Sequence, residues 1–124
     1  MQLGKINGFD ISLDKNYRKL LLYPRLFTLT ALNYVDKDGL PYEELRNITG
    51  LSEGTLNPTL VFLKKEELIR TEETSLDKKR AIILYITEKG KNAYKNLSDW
   101  FKKLIEMENG KFNGMEYGMD RQIS

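Results

Sequence analysis

Apolar residues recur at helical spacing through most of this chain, and the clearest case lies near its middle. Leu56, Leu60 and Leu63 step by four and three, which places them on one face of a helix. Ser52 precedes them, and a serine hydroxyl there can accept an unpaired N–H group of the first turn. Upstream, Tyr42 to Thr49 reads as a shorter helix. Leu45 and Ile48 point inward, and Glu43 and Glu44 suit its positive N-terminal end. Gly50 closes that helix and Leu51 anchors the turn. A helix, a tight turn and a second capped helix over about residues 52–66 make a helix-turn-helix, whose second helix can enter a DNA major groove.

The flanking pattern supplies the rest. Residues 1–12 mix glycine, polar and single apolar positions and read as a weakly structured arm. Leu13 to Leu22 is more helical, with Leu13, Tyr17, Leu20 and Leu21 on one side and Asp14 able to cap the start. Pro24 suits the first position of a longer helix, whose buried side would be Leu26, Phe27, Ala31, Tyr34 and Val35. That helix should stop before Asp36, with Gly39 taking positive φ. Leu40-Pro41 can add one rung to a later hairpin. Leu68 to Glu73 is the hairpin's first strand, residues 74–79 a polar loop, and Arg80 to Ile86 a strong second strand expected to be covered on both faces. A hairpin beside a helix-turn-helix is a wing.

Thr87 can cap a last helix opening at Glu88. Tyr94, Leu97, Phe101 and Leu104 step by three, four and three, and Trp100 and Ile105 widen the stripe. Packing on its own domain is the plain reading of this stripe. A homodimer interface is favoured, because the helix has more apolar surface than one wing can cover. From Asn109 onward no period survives, and the tail reads as flexible. The expected class is α+β, mainly α: a winged helix-turn-helix with a two- to three-stranded wing sheet and a long C-terminal dimerisation helix. The expected divisions are an arm with a short helix (1–22), the winged domain (23–87), the dimerisation helix (88–108) and the tail (109–124).

Composition narrows the function. Twenty basic against eighteen acidic residues leave a net charge of only +2, so any nucleic-acid argument needs a local basic patch. Cysteine and histidine are absent, which removes thiolate and imidazole ligands and the usual general base. No metal or cofactor is expected. The acidic pairs Glu43-Glu44, Glu66-Glu67 and Glu72-Glu73 are adjacent in sequence and point apart, so they do not make a catalytic dyad. No phosphate-cradling glycine loop or nucleophile elbow is present, and an enzyme is not expected. No apolar run is long enough to span a bilayer and the first residues lack a signal-peptide core, so the expected location is the cytoplasm, without membrane contact.

Gly54-Thr55-Leu56-Asn57-Pro58-Thr59-Leu60, followed by Leu63-Lys64-Lys65-Glu66, resembles the recognition helix of PadR-like winged-helix transcriptional regulators. In that family a Gly-Thr-Leu-Tyr-Pro run precedes a leucine-and-charge pattern, then Leu-Ile, then a wing. Leu68-Ile69 stands in that place here. Tyr85-Ile86 with Thr87-Glu88-Lys89-Gly90 is similar to the segment that closes the wing and opens the last helix. MarR- and ArsR-type regulators share parts of the pattern. The resemblance covers about Pro24 to Leu104. It implies a homodimeric DNA-binding regulator, usually a repressor, dimerising through the last helix. Four positions depart from the family: Asn57 replaces a tyrosine, Val61 and Phe62 stand where basic residues are common, and Glu67 replaces a glycine.

With the leucines inward, Gly54, Asn57, Pro58, Val61 and Lys65 face outward and Phe62 lies at the border. For double-stranded DNA, the helix N-terminus with Ser52 or Thr55 would hold phosphate, Asn57 would read a base edge, with adenine its usual partner, and Val61 would touch a thymine methyl. Pro58 would let the backbone approach closely. Lys78, Lys79 and Arg80 in the wing, about residues 74–80, would meet the backbone or minor groove, helped by Arg18, Lys19 and Arg25. The alternative is a protein-protein assembly module using the apolar Val61 and Phe62 surface. Tyr94, Trp100 and Phe101 would also suit the pocket of a small-molecule effector, although such a stripe is more often core.

Overall fold

A computed structural model describes residues 5–6, 9–10 and 12–115, with side chains described over 12–75 and 77–109. Residues 5–6 and 9–10, expected in a weakly structured arm, form a short antiparallel pair, β1 (Lys5–Ile6) and β2 (Phe9–Asp10). The ordered body follows as α1 (Lys15–Arg18), α2 (Tyr23–Val35), a 3-10 turn at Asp36–Asp38, β3 (Leu40–Pro41), α3 (Tyr42–Thr49), α4 (Glu53–Lys65), β4 (Ile69–Leu76), β5 (Lys79–Ile86) and α5 (Glu88–Met115). The three-stranded sheet has the order β3-β5-β4, antiparallel throughout, with Leu40 opposite Leu84 and Thr71 opposite Leu84 on the other edge.

One core joins these elements. Leu29 and Leu32 of α2, Leu45 of α3, Leu56, Leu60 and Leu63 of α4, and Leu84 and Ile86 of β5 are all buried together. Deleting such a leucine to alanine costs about 2–5 kcal/mol, so this cluster fixes how α4 is held. Gly50 ends α3 in the left-handed conformation at φ 69° and its N–H bonds the Arg46 carbonyl. Gly90 is needed for a different reason. A Cβ there would lie 2.2 Å from the Leu68 carbonyl oxygen, so only glycine lets α5 start against the head of β4. Thr87 caps α5 as expected: its hydroxyl accepts the Gly90 N–H at 3.0 Å and donates to the Glu67 carbonyl at 2.7 Å.

Several expectations are corrected. The first helix is only one turn, because Leu22 must leave helical geometry to become the extended N-cap of α2. Leu21 is consequently exposed rather than inward, while Asp14 does cap α1 by accepting the Asn16 N–H at 2.7 Å. Pro24 is the second residue of α2, not the first, and is tolerated on the same ground of a free first-turn N–H. The deep side of α2 is Thr28, Leu29 and Leu32, and Tyr34 is 88% exposed. α3, α4, α5 and the sheet all press on α2, so its buried arc is centred on residues the simple stripe skipped. Ile48 is exposed, and Thr49 takes the inward place by donating to the Leu45 carbonyl at 2.9 Å.

The wing is longer than expected. β4 runs on to Leu76 and β5 resumes at Lys79, so the six-residue loop shrinks to a two-residue turn, Asp77-Lys78, at φ 53° and 67°. Both central residues at positive φ match the hairpin turn whose twist suits its strands. β5 is only partly covered. Leu84 and Ile86 are buried, Ile83 and Tyr85 half-buried, and Ile82 nearer the tip is exposed. The Arg70 guanidinium lies over the Tyr85 ring at 4.2 Å and supplies part of that cover. The last helix continues to Met115 rather than ending near residue 108. The remainder of the expected tail, residues 116–124, lies outside the described residues.

Candidate nucleic-acid interface

α4 presents one face to the core and the opposite face to solvent. Gly54, Asn57, Pro58, Val61 and Lys65 are all exposed, as the helical projection requires. The Ser52 hydroxyl does not take up a free N–H as expected. It meets the Thr55 hydroxyl at 3.3 Å, and the first-turn N–H groups of Thr55 and Leu56 bond the Ser52 carbonyl instead. Pro58 sits inside the helix, where it has no N–H to give the Gly54 carbonyl one turn earlier. Gly54 itself is not required by packing, since an added Cβ would meet nothing nearer than the Ser52 Oγ at 3.8 Å.

Asn57 is not a free side chain. The Tyr42 hydroxyl donates to its Oδ1 at 2.6 Å, which ties the outward face of α4 to the first residue of α3. Burial first, and then the Glu53 carboxylate, push the Tyr42 phenol above its ordinary range, so it is protonated at neutral pH. Tyr42 also lines a cleft of about 400 Å³ together with Lys79, Arg80 and Ile82 of the wing. Asn57, Tyr42 and the wing therefore share one side of the molecule. Beyond α4 on its other flank, Arg25 and Pro24 line a small cleft with Pro58 and Thr59. Arg25, the exposed face of α4, Tyr42 and the wing form one continuous surface.

The basic residues on this surface differ in availability. Arg25 stacks on the Phe62 ring at 3.6 Å and donates to the Lys19 carbonyl at 2.7 Å. Lys19 pairs with Glu66 at 2.7 Å and holds that carboxyl below its ordinary range. These two cations staple the end of α4 to the segment before α2. Arg80 pairs with Glu73 across the wing. Lys78 and Lys79 at the wing tip, and Lys64 and Lys65 on α4, make no ion pair among the described residues. Arg46 bridges Glu43 and Glu53 at 3.5 Å each, so the acidic charge near the start of α4 is partly balanced. Phe62 is half-buried beneath Arg25, which leaves Val61, 66% exposed, as the remaining apolar point of the expected ridge.

A family model described as a winged helix DNA-binding domain matches residues 25–105. The chain belongs to this family. Among solved structures, this winged helix chain is similar to MepR of Staphylococcus aureus in a DNA complex, at 20% identity and TM-score 0.62, covering 89% of this chain and 90% of that one. It is similar to a PadR-like transcription factor from Bacteroides fragilis at 20% identity and TM-score 0.60, covering 79% and 100%. A third likeness is to PcaV of Streptomyces coelicolor, solved with its natural ligand, at 19% identity and TM-score 0.58, covering 81% and 65%. At these identities the likeness is one of fold. No curated protein matches the sequence.

Sequence reasoning missed Tyr42 as a site residue. Its aromatic character at a helix start carried no signal beyond packing, and its partner lies fifteen positions away. The stripe on α5 divides in two. Leu97 is buried in the domain's own core and Tyr94 packs against it, whereas Phe101, 59% exposed, and Ile105 are uncovered, with Trp100 and Leu104 intermediate. Tyr94, Trp100 and Phe101 do line one cleft, of about 270 Å³, together with Leu21 and Leu26. Among the described residues no acidic cluster is arranged as a metal site, and no helix is long and apolar enough to cross a membrane.

Proposed function

We propose that this winged helix chain is a sequence-specific regulator of transcription, acting as a homodimeric repressor on double-stranded DNA. The observation that carries the reading is the single surface shared by the exposed face of α4, Tyr42 and the wing. In this reading α4 lies in the major groove. Ser52, Thr55 and the helix N-terminus meet phosphate, Asn57 reads a base edge, Pro58 permits close approach, and Val61 meets a thymine methyl. Lys78 and Lys79 provide the phosphate or minor-groove attraction, with Lys65 and Arg25 at the margins. Arg80 contributes less because Glu73 already neutralises it.

The exposed part of the α5 stripe supports a second copy as the dimer partner. Phe101 and Ile105 need a cover that their own domain does not provide. Leu97 drops out of that interface because its own core consumes it. An effector is assigned to the cleft that Tyr94, Trp100 and Phe101 line. The assembly-module alternative is weakened, because its ridge has lost Phe62 to the Arg25 stack.

A random-pool duplex selection with the purified chain tests the proposal. The expected result is an enriched, two-fold symmetric site whose affinity falls steeply with salt. Lys78→Ala or Lys79→Ala should each reduce the logarithmic salt slope by about one. Absence of binding to any duplex at low salt overturns the reading.

A further inference from the structure

The proposed DNA reading leaves open which base Asn57 selects. Resting on that reading, we infer that Tyr42 is a positioning residue that turns Asn57 into a hydrogen-bond donor facing the groove, so that the base beneath it is guanine rather than adenine.

An unrestrained asparagine pairs with adenine because its two ends match two neighbouring groups. Oδ1 accepts from the adenine N6 amino group while Nδ2 donates to N7. Here Oδ1 is already engaged by the Tyr42 hydroxyl at 2.6 Å. The bond turns the oxygen edge of the carboxamide toward α3. Nδ2 has no partner among the described residues, and Asn57 is exposed on the outward face of α4. The donor edge is therefore the one offered outward.

Tyr42 is well placed to impose this. Its ring packs against the hydrophobic core at the first position of α3, and its backbone follows the extended N-cap residue Pro41. A phenol kept protonated has one hydrogen to give, and it is given to Asn57. Around Asn57 on the outward face, Gly54, Pro58 and Val61 carry no hydrogen-bonding side chain, while the exposed Glu53, one turn earlier, is paired with Arg46 at 3.5 Å and the Thr55 hydroxyl accepts from Ser52 at 3.3 Å. The four bases answer a donor-only group differently. Guanine offers two adjacent acceptors, N7 and O6, to the two amide hydrogens. Adenine opposes one of them with its own amino group, cytosine presents a donor, and thymine presents one acceptor beside a methyl group.

The test is a random-pool selection with the full chain as wild type, Tyr42→Phe and Asn57→Ala, each checked for native circular dichroism. The position read by Asn57 is the one that loses its preference in Asn57→Ala. Wild type should favour guanine over adenine there by about tenfold. Tyr42→Phe keeps the ring but releases Oδ1, and should move the preference to adenine with an unchanged salt slope. Adenine or cytosine in the wild-type site, guanine persisting in Tyr42→Phe, or no position responding to Asn57→Ala would each overturn the assignment while leaving DNA binding intact. A pool with no enrichment at all ends both the DNA reading and this assignment.

Discussion

Replacing Glu67 by glycine should stabilise the protein, and the geometry at the end of α4 says by how much. Glu67 follows the C-cap residue Glu66 and holds φ +62°. Its N–H bonds the Lys64 carbonyl at 2.9 Å and the Leu68 N–H bonds the Leu63 carbonyl at 3.0 Å. This pair of bonds is the Schellman closure, and the buried Leu63 and Leu68 supply the apolar contact that accompanies it. The left-handed residue of that closure is usually glycine, because an L side chain there costs about 1–2 kcal/mol. Glycine in turn adds about 0.4–1 kcal/mol of unfolded-state freedom. The balance is a gain of about 0.5–1 kcal/mol for Glu67→Gly, or a melting temperature higher by about 2–6 °C. The side chain is exposed and makes no ion pair among the described residues, so little is lost with it. Urea and thermal unfolding would measure this, with Glu67→Ala as the control that keeps a Cβ and should gain nothing. A glycine variant no more stable than the alanine variant would refute the strain argument.

Other consequences follow from the same packing. Gly54→Ala should raise the urea midpoint by the equivalent of about 0.5–1 kcal/mol, since a Cβ fits in open space and helix propensity improves. The same change should weaken duplex binding by placing a methyl between α4 and the groove, and equal or tighter binding would argue against close backbone approach. Thr28→Val should stabilise by about 1 kcal/mol, because the buried Thr28 hydroxyl finds no hydrogen-bond partner among the described residues; a lower melting temperature would show that it has one. Lys19 lowers the Glu66 carboxyl, so this pair's contribution is present above the unfolded glutamate value of about 4.3 and disappears as pH falls through the lower folded value. Lys19→Met should therefore flatten stability against pH in that acid range, and an unchanged acid limb would remove the pair from the account.

The architecture was legible where neighbours in sequence decide burial. Leu56, Leu60 and Leu63 form the inward face of α4 wherever the helix is docked, and Gly50 and Thr87 mark their helix ends through local geometry. The departure at Glu67 was visible as an unexpected side chain, and its positive φ explains why a glycine suits the position. The wing tip was not legible, because Asp77 and Lys78 adopt positive φ without the glycine that normally signals such a turn. The inward side of α2 was misjudged because it is enclosed by several elements, and a single amphipathic stripe describes a helix with one covered side.

Charge was the hardest property to read, since a sequence shows how many cations exist but not which of them are already engaged. From sequence, Arg80 stands beside Lys78 and Lys79 as a wing contact, with Lys19 and Arg25 as helpers. The fold commits Lys19 to Glu66, Arg25 to the Phe62 ring and a carbonyl, and Arg80 to Glu73. In the proposed DNA reading, the cations that remain for phosphate are those at the wing tip and at the end of α4. In the same reading, affinity and selectivity are carried by different parts of one surface: the lysines supply attraction that carries no sequence information, and the first turns of α4 discriminate through one oriented amide and one apolar contact. Such a division predicts that changes at the wing move binding to all duplexes together, and that changes at Tyr42 or Asn57 reorder the duplexes among themselves.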